Sequence, residues 1–108
     1  MIKIRVLSKR EFDFTLLHIG INSTNVEQRK KDFFISILDA NGNDEQKPYF
    51  DSDFDNVKLI YADDIEEDLT HAKYGLIKAF TEQQANDLLD FLDEQMQAGK
   101  DTCMVHCG

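Results

Sequence analysis

Nowhere does this 108-residue sequence hold a run of eighteen apolar residues, so no segment reads as a membrane-spanning helix. The N-terminus, MIKIRVLSK, lacks the apolar core and small-residue cleavage site of a signal peptide, and a cytoplasmic protein is the expectation. Positive charge is scarce: 12 Lys and Arg stand against 21 Asp and Glu, a formal net charge of -9. A field of that sign repels nucleic acid and anionic membranes, so neither is expected as a partner. Cysteine occurs twice, at Cys103 and Cys107, too close along one extended segment to bridge each other, and both are read as reduced thiols. Cys103, His106 and Cys107 lack a fourth partner for zinc, and no metal or cofactor is expected. The chain has a single proline, no low-complexity tract and no linker, which leaves one domain at most.

What remains is an alternation of apolar strands and one strong helix. Ile2, Ile4 and Val6 alternate with Lys3 and Arg5, the pattern of a strand with one buried face. Ser8 and Glu11 have capping-box spacing, so a helix is expected from about Lys9, carrying Phe12, Leu16 and Leu17 inward. The polar stretch from Gly20 to Lys31 reads as surface. Phe33 to Leu38 is continuous enough in apolar residues to be a central strand, and Val57 to Tyr61 is a third. Between them lies a turn-rich acidic excursion. Asp51, Asp53 and Asp55 there have the odd spacing that begins a calcium loop, but the central glycine and terminal glutamate are missing, and a solvated acidic loop is the expectation.

Asp63 and Asp64 follow the third strand directly, at what would be its C-terminal edge, or cap a following helix. Thr81 is a good N-cap with Gln84 at the capping-box position. Ala85, Leu88, Leu89, Leu92 and Met96 then repeat at three and four to draw one apolar stripe, and Gly99 ends the helix. This helix points into a last strand, Thr102 to Val105, through a short polar turn, which is the αβ connection of a parallel or mixed sheet. His18 and His71 carry no reading of their own.

The sequence closes on TCMVHCG. Cys107, at the C-terminal edge of an apolar strand with Gly108 behind it, is a nucleophile candidate. An ordinary cysteine is only a few per cent thiolate at neutral pH. Activation needs amides or a cation nearby, and the same groups would bind an oxyanion such as phosphate.

An apolar strand running into Asp63-Asp64-Ile65, an amphipathic helix from about Gln83 to Ala98, and a strand closing in Val-His-Cys-Gly resemble the cysteine-dependent protein tyrosine phosphatases. The closest likeness is to their small bacterial and phage dual-specificity-like branch. The resemblance implies an α/β fold with a central, mostly parallel or mixed four-stranded sheet and flanking helices. It implies a phosphomonoester hydrolase acting on a phosphorylated protein or a small phosphomonoester through a phosphocysteine intermediate. Cys107 then matches the nucleophile, His106 the residue that positions the loop and tunes the thiol, and Gly108 the start of the phosphate-binding loop. Asp64 matches the general acid, with Asp63 the alternative. Because the sequence stops at Gly108, it implies an incomplete domain over residues 1–108, lacking the phosphate-clamping arginine and the C-terminal helices. These residues alone are then expected to be inactive, with apolar sheet surface that a homodimer could cover. The competing expectation is a non-catalytic phosphatase-like module whose acidic loops bind a basic protein surface.

Overall fold

Ser8 is where the first strand becomes the first helix. In the computed structural model, which describes residues 2–38, 49–50, 52–61 and 82–107, its hydroxyl accepts the Glu11 N–H at 3.1 Å. The Glu11 carboxylate in return takes the Ser8 N–H at 3.3 Å, completing the capping box. Strand β1 (Lys3–Ser8) therefore passes into helix α1 (Lys9–Ile19) without an intervening loop. The helix stops at Gly20, whose φ of 77° is left-handed, and the Ile21 N–H reaches back to the Leu16 carbonyl at 2.9 Å. A single 3-10 turn (Val26–Gln28) precedes β2 (Asp32–Leu38). Strand β3 (Val57–Tyr61), helix α2 (Glu82–Gln97) and strand β4 (Thr102–Cys107) complete the described elements.

The four strands form one sheet in the order β1-β4-β2-β3, and all three pairings are parallel. The last strand is thus inserted between the first two. Helix α1 covers one face, where Phe12, Leu16, Ile21, Val26, Phe34 and Met104 make one core. Helix α2 covers the other, where Leu88 and Phe91 meet Phe33, Ile35, Ile37, Ile60 and Val105. The alternation of Phe33 and Phe34 between the two cores is the strand period of two at work. It also explains why β2 reads as an unbroken apolar run: both of its faces are covered. Tyr49, Phe50 and Phe54, between β2 and β3, pack into the α1-face core, so the moves from β1 to β2 and from β2 to β3 pass over one face. The return to β4 passes over the other, which gives every crossover the same hand.

Several expectations change once the layers are in place. Ile4 and Val6 pair with Cys103 and Val105 and share their face, yet they are 46% and 64% exposed. Among the described residues, helix α2 sits over β3 and no element covers the β1 side of that face. Leu17 on α1, and Leu89 and Met96 on α2, are exposed rather than inward. The buried stripe of α2 is Leu88, Phe91 and Gln95, flanked by the partly buried Ala85 and Leu92. Gln95 takes an interior place because its Nε2 donates to the Asp55 carbonyl at 2.7 Å.

The polar stretch after Gly20 is mostly exposed but anchored by the buried Ile21 and Val26. The acidic excursion is likewise not all solvated. Tyr49 donates its hydroxyl to the Ile21 carbonyl at 2.7 Å, and Asn56 donates from Nδ2 to the Val26 carbonyl at 2.8 Å. Asp53 turns one carboxylate oxygen to the Leu59 N–H at 2.7 Å, and Asp51 lies outside the described residues. Among the described residues no group of three His, Cys, Asp or Glu is placed to hold a metal, and no helix is long and apolar enough to cross a membrane.

Candidate active site

Strand β4 holds the central place that a site at its end requires. Its last residue, Cys107, is in register with Ser8 on β1 and with Ile37 on β2. The chain leaving Cys107 therefore starts in the middle of the C-terminal edge of a parallel sheet, between two strand ends. Open α/β sheets bind ligands in the crevice beyond that edge. The side chain of Cys107, all of Gly108, and both Asp63 and Asp64 lie outside the described residues.

His106 is well defined, and its surroundings were only partly legible in the sequence. It is fully buried on the α1 face, with its ring 4.4 Å from that of Phe12. Its Nε2 lies 2.9 Å from the hydroxyl of Ser36, its cross-strand neighbour on β2. Ser36 is the lone polar residue in FFISIL, and strand register brings it opposite the lone polar residue in CMVHC. That coincidence of polar positions was the available signal, but it needed β4 to lie beside β2. From α1, Lys9 and Asp13 form an ion pair at 2.6 Å. Among the described residues neither Asp13 Oδ1 nor His106 Nδ1 has a hydrogen-bond partner. Burial is the main force that pushes the His106 pKa down, to about 4; the Lys9 ammonium pushes the same way and the Asp13 carboxylate opposes them. At neutral pH His106 is thus an uncharged imidazole that shares one proton with Ser36.

Cys103 has a different character. It is buried in the α2-face core, unbridged, and burial raises its thiol pKa to about 12. It stays protonated at neutral pH and has no nucleophilic role. Its side chain and that of His106 project to opposite faces of the sheet, so the two cannot ligate one metal ion.

Compared with family models, with curated proteins and with solved structures, the chain gives no match.

Proposed function

We propose that these residues belong to a cysteine-dependent phosphomonoester hydrolase in which Cys107 is the nucleophile. The observation that carries this reading is the position of Cys107 at the C-terminal end of the central parallel strand, flanked in register by Ser8 and Ile37. A nucleophile there meets substrate in the crevice beyond the sheet while its strand is held from both sides. The neutral, buried His106 one residue earlier ties the same strand end to β2 through Ser36.

The chemistry follows from the residue types. The Cys107 thiolate attacks phosphorus, the sulfur–phosphorus bond forms, and the bond to the ester oxygen breaks with the electron pair leaving on that oxygen. The carboxylic acid of Asp64, with Asp63 as the alternative, protonates the departing oxygen. The resulting carboxylate then takes a proton from water, which attacks the phosphocysteine and returns the thiolate. In this reading the transferring phosphoryl group is stabilised by hydrogen-bond donors at the C-terminal edge of the sheet.

The test is hydrolysis of an aryl phosphate by the natural gene product and by its Cys107→Ser form. A loss of at least about a thousandfold in the variant is expected. Equal rates would remove Cys107 from the chemistry, and no hydrolysis by either form would favour a non-catalytic interaction module.

A further inference from the structure

The two flanks of α2 have different surroundings. On one, Phe91, Glu94, Gln95 and Ala98 line an acidic cavity of about 380 Å³ with Asp53, Asp55 and Lys58, at the start of β3 on the N-terminal edge of the sheet. With about 3.6 residues per turn, Glu82, Leu89, Asp93 and Met96, at i, i+7, i+11 and i+14, fall together on the opposite flank. That flank looks across the β1 side of the sheet, which no element covers among the described residues. Ile4 and Val6 are the floor of the resulting trough, beside Cys103 and Val105. Leu89 and Met96, 49% and 56% exposed, are its wall. Four half-exposed apolar side chains gathered in one trough are an unfavourable surface in water until something covers them.

The two sides of the trough carry opposite charge. Strand β1 holds Lys3 and Arg5, both exposed, and no carboxylate. Helix α2 holds Glu82, Asp87, Asp90, Asp93 and Glu94, all exposed, and no Lys or Arg. Lys3 and Arg5 alternate with Ile4 and Val6 along the outermost strand of the sheet, where long side chains reach to either face. Neither is in an ion pair among the described residues. In a chain of net charge -9, a basic strand is the exception, and it borders the same apolar trough as the acidic helix. A surface with a basic half and an acidic half around one apolar centre is complementary to itself after a half-turn, which is what an isologous dimer requires.

We propose that this trough is the contact surface for a second copy of the chain, related to the first by a twofold axis. Leu89 and Met96 of one copy lie over Ile4 and Val6 of its partner, and the same contact is repeated in reverse. Glu82 and Asp93 meet Lys3 and Arg5 of the other copy at the rim. The two α2 helices then lie side by side between the two sheets, each covering the part of the partner sheet that its own helix leaves bare. None of these residues enters the chemistry proposed for Cys107.

The experiment is sedimentation equilibrium of this chain and of two charge-reversed forms, one with Lys3→Glu and Arg5→Glu, the other with Glu82→Lys and Asp93→Lys. The parent is expected to dimerise, and more weakly as salt is raised. Each reversed form alone is expected to dimerise at least about tenfold more weakly, because both halves of its trough then carry one sign, whereas the two forms mixed are expected to pair with each other. A third form, Leu89→Gln with Met96→Gln, changes two exposed side chains and is expected to be a monomer with the far-UV circular dichroism of the parent. A parent that stays monomeric at hundred-micromolar concentration would overturn the proposal and give the trough to a different occupant. So would reversed forms that fail to pair when mixed. A dimer retained by all three forms would also overturn it, placing the contact elsewhere, such as at the exposed Phe14 and Leu17 of α1.

Discussion

At the scale of single residues, His106 makes the sharpest statement. Its pKa falls to about 4 in the folded chain, whereas an ordinary unfolded-chain histidine titrates near 6.5. The unfolded state therefore binds the extra proton across the window between those values, and stability rises with pH there. The contribution is complete above about pH 6.5, and a loss of about 2 kcal/mol is expected between pH 7 and pH 5. Urea unfolding at the two pH values checks this. The chain should lose that increment, and a His106→Gln variant should lose much less; equal losses would show that the imidazole is not buried neutral. The partnership with Ser36 could not be read in advance because sequence gives the order of strands along the chain and not their order across the sheet. Cys103 and Cys107 show the same limit. The apolar run of β4 was legible, but only the two covered faces show that Cys103 is locked in a core as an inert thiol.

At the scale of elements, what was legible is what local chemistry controls. Ser8 with Glu11 and Gly99 each act within one helical turn and bound a helix as their spacing suggests, and Gly20, read only as the start of a surface stretch, ends α1 in the same left-handed way as Gly99. Ser8→Ala is expected to cost about 1 kcal/mol through the lost cap. Gly99→Ala is expected to cost a similar, order-of-magnitude ~1 kcal/mol. A Cβ at Gly99 meets nothing within 4 Å, so that cost comes from φ of 83° alone. Thermal or urea unfolding of the two variants checks both, and a Gly99→Ala chain as stable as the parent would mean that α2 ends in another conformation. What was not legible is which side of an amphipathic element the rest of the chain covers. Leu89 and Met96 satisfy a helical stripe as well as Leu88 and Phe91 do, and only the packing of α2 over β3 selects between them. Gln95 was passed over because its type is polar. Its burial depends on the Asp55 carbonyl, forty positions away in sequence.

At the scale of the whole molecule, the parallel sheet separates two ends with different chemistry. The C-terminal edge carries Cys107 at its centre, and the expectation that the last strand is central holds because β4 fills the gap between β1 and β2. The N-terminal edge carries the acidic cavity beside β3. The cavity lining shares the sign of the −9 net charge, and the anion site proposed at the other edge would rest on backbone amides rather than on net charge. The acid partner in the proposed chemistry, Asp64 or Asp63, lies outside the described residues, so the central claim rests on Cys107. The most direct measurement is rapid acid quenching of the natural gene product during turnover of an aryl phosphate, followed by mass spectrometry of the peptide containing Cys107. The account predicts one phosphoryl group on Cys107 that appears with substrate, decays as substrate is exhausted, and is absent from the Cys107→Ser form. Turnover with no adduct on Cys107, at a rate the substitution leaves unchanged, would contradict it.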